Sequence, residues 1–319
     1  MNNTILNACR SDKETRDLFD SCAAKYGLEI DHIALRFPSE TELINTAKGY
    51  AAIIAGGGEK YTRAVFEALS PELKAVIRFG VGYDNCDTIA ARENGVAIMI
   101  AGGGNSAAVA DCAIMLMLAL GRNICLFDRE MREGVWSRKT GTQLFEKTVG
   151  IIGFGRIGQI LNGYLSGFKC KVLVNDDYIS DHTITSLGAT RATLDEIANQ
   201  SDYISLHSPL NDETRGMIGI DFFKKMKKTA FIINTSRGPV IREDDLITAL
   251  SEGLIAGAGL DVFGNEPLEH GSRLRELDNV IISPHTAYNT AEANDLTARI
   301  IIDNLAAYLS GKECKDVVN

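Results

Sequence analysis

Short apolar runs alternate with helical stripes along most of this chain. Residues 51–55, 73–78 and 96–100 read as buried strands, with a helix over 61–69 and another closing at 92–95. Further strands are expected near 149–152, 171–175, 203–206, 230–234, 257–260 and 280–283. Strand–helix alternation with short loops predicts parallel sheets covered on both faces. The glycines 102–104 break the pattern and read as a hinge. Beyond them Val109, Cys112, Ala113, Leu116 and Leu120 stripe one helix, and Ala298, Ile301, Leu305 and Tyr308 stripe the last, over 291–309. That last helix is expected to return to the first unit. The domains predicted are therefore 1–101 with 288–319, discontinuous, and 102–287 between them.

The sharpest local pattern lies at the start of the second domain. Val149, Ile151 and Ile152 form an apolar run that enters Gly153-Phe154-Gly155-Arg156-Ile157-Gly158, and Ile157, Ile160, Leu161, Tyr164 and Leu165 then recur at helical spacing. A second strand over 171–175 ends at Asp176, eighteen residues beyond Gly158. Each part answers a need of a bound dinucleotide. Gly153 permits a tight turn, Gly155 lets backbone approach a pyrophosphate, and Gly158 lets the helix pack close to the strand. The pyrophosphate would face the helix N-terminus, and the Asp176 carboxylate would accept from the ribose hydroxyls. Asp177 adds negative charge beside it, and no arginine follows within ten residues, which favours NAD over NADP.

Composition narrows the partners. The formal net charge is −9 and the pI near 5.2, with no basic run, so neither nucleic acid nor an anionic membrane is expected as a partner. Seven scattered cysteines without a C-x-x-C pair suit reduced thiols in a cytoplasm better than disulfides or a metal site, and no metal is expected. The start MNNTILNACRSDKE lacks the charge and apolar stretch of a secretory signal. The apolar run 107–120 is too short to cross a bilayer and reads as a buried helix.

Three polar residues follow strands of the second domain, where ligands bind in open α/β sheets. Arg237 stands in NTSRGP, Glu266 in DVFGNEP and His285 in ISPHTA. Singly they could be a surface arginine, a solvated glutamate and a capped histidine. Jointly they supply what reduction of a 2-oxo acid requires: a bidentate cation for the carboxylate and carbonyl oxygens, and a histidine–carboxylate pair as proton donor. In the first domain the FGVGYDN loop offers backbone N–H groups at Val81 and Gly82, aided by Arg78, for the substrate carboxylate. His207, in SLHSPL, also ends a strand and reads as structural. His32, His182 and His270 have no partner motif and are expected to face solvent.

These segments together resemble the D-isomer-specific 2-hydroxyacid dehydrogenase family. The resemblance runs from about residue 73 to the C-terminus, through RFGVGYDNCD (78–87), GGGNSAAVAD (102–111), EKTVGIIGFGRIG (146–158), LHSPLNDETRGMI (206–218), INTSRGPVI (233–241), AGLDVFGNEPL (258–268) and SPHTA (283–287). It implies an α/β fold of two doubly wound parallel-sheet domains, a Rossmann dinucleotide-binding domain inserted into a flavodoxin-like substrate domain. It implies that Arg237 anchors the substrate, His285 exchanges the proton and Glu266 orients it. Cofactor contacts would come from Arg156, Ile157, Asp176, Ser208, Pro209, Thr214, Thr235, Ser236 and Asp261 besides the three glycines, and Asn105 would join Arg78, Val81 and Gly82 at the substrate. The implied activity is NAD-dependent interconversion of a D-2-hydroxy acid and its 2-oxo acid by a homodimer joined in part through the arm holding Trp136. A dinucleotide-sensing corepressor on the same fold is the alternative. The sequence departs from the family pattern at Ile100 and Gly102, where Asn and Pro are common, at Gly264, where glutamate is common, and at Asp111 in place of glutamate.

Overall fold

The computed structural model describes residues 4–314 and 316–319, which divide into two compact units: 1–105 with 289–319, and 106–288. The first boundary falls four residues after the 101/102 read from the sequence and the second one residue after 287/288.

The first unit is a parallel sheet of β1 (Thr4–Asn7), β2 (Glu29–His32), β3 (Ala52–Ala55), β4 (Ala75–Arg78) and β5 (Ala97–Met99). Its order, β2-β1-β3-β4-β5, is the flavodoxin-like winding. β3 and β4 are buried along their whole length, as apolar strands with both faces covered must be. The long C-terminal helix Ala291–Leu309 belongs to this unit, where Ala298, Ile301 and Leu305 pack with Phe19 and Ile77 in one core. In the glycine cluster, a Cβ on Gly104 would sit 2.4 Å from the hydroxyl oxygen of Thr297 on that helix, so the segment is packed rather than loose at this point.

The second unit is a seven-stranded parallel sheet of β6 (Thr148–Ile152), β7 (Lys171–Asn175), β8 (Thr190–Arg191), β9 (Tyr203–Leu206), β10 (Phe231–Asn234), β11 (Gly257–Leu260) and β12 (Val280–Ile282). The order β12-β11-β10-β9-β6-β7-β8 reverses direction between β6 and β9, the topological switch point where such sheets bind ligands. The helix Ser106–Gly121 is apolar on nearly every side and lies against this sheet, with Leu116 and Leu120 over Gly259. Among the described residues no single helix is long and apolar enough to cross a membrane. A capping box opens the helix Leu194–Gln200: the Thr193 hydroxyl accepts from Glu196 N at 3.2 Å while Glu196 Oε2 accepts from Thr193 N at 2.8 Å.

Three readings need correction. β1 and β2 lie outside the strands read from the sequence; β2, EIDH, sits at a sheet edge and carries ionisable side chains at three of its four positions, His32 included. Their pairing sets His32 opposite Asn7, so this histidine does not face solvent alone: its Nδ1 meets Asn7 Nδ2 and its Nε2 meets Asp20 Oδ1, both at 2.9 Å. Tyr164, assigned to the buried stripe of its helix, is exposed at the edge of that face, whereas Leu161 and Leu165 are fully buried.

Candidate active site

The turn after β6 carries the geometry expected of a dinucleotide cradle. Gly153 has φ +93°, and a Cβ there would lie 2.5 Å from Ser208 N, in the turn after β9. Only glycine satisfies both conditions. A Cβ on Gly158 would fall 2.4 Å from Gly153 O, so this residue lets the helix Arg156–Gly167 close on the strand. Gly155 has open space around it, and no side chain caps the helix it precedes. The positive helix end and its backbone donors therefore stand ready for an anion. Two buried hydroxyls close by in the fold, Ser208 Oγ after β9 and Thr235 Oγ1 after β10, have no partner among the described residues. Buried hydroxyls are normally satisfied, and here a ligand with polar atoms at the switch point would satisfy them. The residues fit a dinucleotide.

Asp176 follows β7 and already holds the turn together. Its Oδ2 accepts from Phe154 N at 2.6 Å, and its Oδ1 from Tyr178 N and Ile179 N at 2.9 and 3.0 Å. A carboxylate has about four acceptor sites, so capacity remains for ribose hydroxyls. The sequence window after Asp176 missed Arg191, which the pairing of Val174 with Arg191 brings alongside. Its guanidinium donates to Asp176 O and Ile179 O and pairs with Asp181. Those donors serve the loop backbone, so Arg191 braces Asp176 and leaves the acidic character of the site intact. Asp176→Ala is expected to weaken NAD affinity ~10- to 100-fold, the effect of losing ~1.5–3 kcal/mol of bonds to a charged group. Titration of NADH into the variant checks this.

The other residues read as cofactor contacts divide in the structure. Arg156 is exposed and Ile157 half-buried at the first turn of the helix, and Pro209 is exposed after β9. Thr214 Oγ1 is engaged locally, donating to Pro209 O at 2.6 Å, and Ser236 Oγ donates to Asn234 Oδ1 at 2.9 Å. Asp261 is buried and organises the histidine loop. Its Oδ1 accepts from Ser283 Oγ at 2.6 Å and Thr286 N at 2.9 Å, its Oδ2 from Ala287 N at 2.8 Å, and its carbonyl from His285 N at 2.8 Å. No spacing signal in the sequence linked Asp261 to His285; the β11–β12 pairing does.

His285 itself adopts φ +50°, in the left-handed region that costs a non-glycine residue of order 1 kcal/mol or more. The Asp261 bonds hold it there. Its Nδ1 lies 2.7 Å from Glu266 Oε2, so the pair read from the sequence is formed. Burial raises the Glu266 carboxyl, but the bond and charge of His285, the Phe263 N–H at 3.1 Å and the Arg237 guanidinium outweigh it and hold the carboxyl below its ordinary value. Arg237 starts the turn after β10, with Nη1 donating to Ser236 O at 2.8 Å. A Cβ on the next residue, Gly238, would overlap Phe263 at 1.9 Å, so the Arg237 and Glu266 turns are pressed together. His207 plays no such part: its Nε2 meets Ser205 Oγ at 2.9 Å, and burial pushes the ring down to about 4, neutral near pH 7.

A family model described as the D-isomer specific 2-hydroxyacid dehydrogenase NAD binding domain matches residues 114–287. The chain belongs to that family. The second unit is thus the family's NAD-binding domain, and the cofactor is NAD. D-3-phosphoglycerate dehydrogenase of Synechocystis sp. is 38% identical over 283 residues, covering 88% of this chain and 51% of that protein. Glyoxylate reductase of Korarchaeum cryptofilum is 35% identical over 288 residues, covering 88% of this chain and 86% of that one. The chain thus spans about half of the first relative and most of the second. The apo-structure of Escherichia coli D-lactate dehydrogenase superposes with a TM-score of 0.86 at 29% identity, covering 99% of both chains. The corepressor alternative finds no support among these dehydrogenases and reductases.

Proposed function

We propose that this member of the D-2-hydroxyacid dehydrogenase family interconverts a D-2-hydroxy acid and its 2-oxo acid, with Arg237 anchoring the substrate and His285 exchanging the proton. The single observation that carries this reading is the His285 Nδ1–Glu266 Oε2 bond of 2.7 Å, built on a strained residue that three turns cooperate to hold. The nicotinamide cofactor, held by the residues of the switch point, would supply the hydride that reduces the carbonyl. The chain's own residues do the rest. Gly153, Gly155, Gly158, Asp176, Ser208 and Thr235 hold the cofactor, with Arg156, Ile157, Pro209, Thr214, Ser236 and Asp261 around it. The Arg237 guanidinium donates to the carboxylate and carbonyl oxygens and stabilises the charge that develops there. His285, tied through Nδ1 to Glu266, gives its proton from Nε2 to the new alkoxide, and takes it back in the oxidative direction. NADH consumption against hydroxypyruvate, glyoxylate, pyruvate and branched 2-oxo acids tests the proposal; turnover of at least one supports it, and none across the panel refutes it.

In the first unit, Arg78, Val81, Gly82 and Asn105 are proposed to receive the substrate carboxylate. Arg78 and Asn105 are buried, and Arg78 Nη1 and Asn105 Oδ1 have no partner among the described residues. Gly82→Leu is expected to raise KM for the 2-oxo acid about tenfold or more while NADH affinity stays at the parent value; steady-state kinetics and NADH titration measure the two separately.

We further infer a homodimer. The helix Ile124–Arg132 has no buried residue, and Ile124, Met131, Val135 and Trp136 are all exposed in the single chain, Trp136 at 74%. Apolar surface concentrated on one helix and arm marks an interface. The seven cysteines are all unpaired, which supports a reducing compartment, the cytoplasm.

A further inference from the structure

The loop that carries Glu266 is held by a second carboxylate. Glu243, half-buried, opens the helix Glu243–Ser251, and its Oε2 accepts from Gly264 N at 3.0 Å. The preceding N–H, that of Phe263, donates to Glu266 Oε1 at 3.1 Å, so two carboxylates take successive donors of one loop. A Cβ on Gly264 would lie 3.3 Å from Glu243 Oε2, so the glycine leaves that carboxylate its room. Gly238 joins the same two segments again, because its lack of a side chain lets the Phe263–Gly264 peptide lie against the arginine turn. That turn is anchored in its own right. Asn234 Nδ2 donates to Arg237 O at 2.9 Å, Gly216 N to Pro239 O at 2.8 Å, and Arg242 N to Ile218 O at 2.9 Å. The Glu266 loop has less support. Gly264, Asn265 and Pro267 are exposed, so packing does little to fix the chain on either side of Glu266, and hydrogen bonds must do so.

Resting on the roles given above to Arg237, Glu266 and His285, we propose that Glu243 is a positioning residue for the proton-exchanging pair. By holding Gly264 N it sets the loop so that Glu266 meets His285 Nδ1, and it ties that loop to the turn carrying Arg237. The anion-binding side chain and the proton donor are thereby kept in one register. A bond from an N–H to an ionised carboxylate is stronger than a neutral one, which suits an exposed loop. Removing the carboxylate leaves Gly264 N open to water, so the cost falls on the geometry of the pair rather than on folding. Small displacements of a reacting group are expensive in rate. A plainer role for Glu243 would be a negative charge in the first turn of its helix, favoured there by the positive helix end. The two roles differ in what they require. The loop needs an oxygen acceptor at this position, whereas the helix end needs a charge.

The test is reduction by the full chain across a pH range, with NADH and the fastest-reduced 2-oxo acid of the panel above. Glu243→Ala is expected to lower kcat about tenfold, since the proton donor is displaced rather than removed. Its pH limb for reduction should move down, because a looser Glu266 favours the protonated ring less. The groups at His285 are Glu266, Arg237 beyond it, Asp261 under the loop and the Tyr288 ring at 6.4 Å, and all remain in the variant. NADH affinity and thermal unfolding should match the parent. Glu243→Gln keeps an oxygen for Gly264 N and should restore both kcat and the limb. In a Glu266→Gln background, Glu243→Ala should move the limb no further, because it acts through Glu266. Should Glu243→Ala not fold, Glu243→Asp, one methylene short of Gly264 N, makes the same test. A folded variant with parent kcat and an unmoved limb overturns the proposal. So do equal losses in Glu243→Ala and Glu243→Gln, or a shift that persists in the Glu266→Gln background. If Glu266→Gln alone leaves the limb in place, the reading of the pair itself is what fails, and the role of Glu243 falls with it.

Discussion

Replacing His285 with alanine is expected to lower turnover in both directions by ~10²- to 10⁴-fold, the range that positioned proton transfer contributes. NADH affinity should stay near the parent value, because the residues that cradle the dinucleotide follow β6, β7, β9 and β10, whereas His285 follows β12. The loss should fall on kcat, since a proton donor acts only as the alkoxide forms and contributes little to ground-state binding. The substitution should also relieve the φ +50° strain only slightly, because alanine retains a Cβ. Thermal unfolding that matches the parent would show that the lost turnover is chemical. Near-full activity in this variant would remove His285 from the reaction.

The second large effect is expected at Arg237. Arg237→Lys keeps a positive charge but not the planar fork that meets a carboxylate with two parallel bonds. Losing one charged hydrogen bond of ~1.5–3 kcal/mol predicts a fall in kcat/KM of ~10- to 100-fold, and Arg237→Ala should fall further. Because the guanidinium also stabilises charge on the carbonyl oxygen, both kcat and KM should suffer. Arg237 is one of the groups that hold the Glu266 carboxyl down, so its removal should also raise that carboxyl. Steady-state kinetics, with NADH affinity as the control, distinguish this from a general loss of structure.

Much of this arrangement is legible in the sequence because local geometry demands particular residues. Gly153 and Gly158 each meet a steric condition that no side chain could, and Gly155 between them leaves the helix N-terminus open, so the cradle announces itself before any contact is known. Arg237, Glu266 and His285 stand out through their position after apolar strands. What the sequence hides is long-range. Asp261 and His285 are 24 positions apart, and only the pairing of β11 with β12 brings the aspartate under the histidine loop. Arg191 reaches Asp176 in the same manner, through a two-residue strand too short to show any alternation. Glu59 lies in the loop after β3 and Arg78 ends β4, and neither the burial of both nor the unpartnered atoms of each can be read from periodicity. β2 fails for a different reason: an edge strand with charged residues carries no apolar signal.

The His285–Glu266 pair is the centre of the account, and its charge state gives it a signature. A carboxyl held below its ordinary value stays ionised as the pH falls past that value. The pair therefore contributes to stability above the ordinary glutamate range and is lost only as the pH drops through the lowered one. Through the range where turnover is measured, Glu266 is thus a fixed negative charge beside the imidazole. His285 must carry a proton for reduction and lack it for oxidation, so one group should govern opposite pH limbs in the two directions, with reduction failing as the pH rises. Glu266→Gln keeps the shape and removes the charge that favours the protonated ring. The deciding measurement is the pH profile of kcat/KM in both directions for the parent and Glu266→Gln. The account predicts mirror-image limbs that move together to lower pH in the variant; limbs that stay where they were, or that move independently, would contradict it.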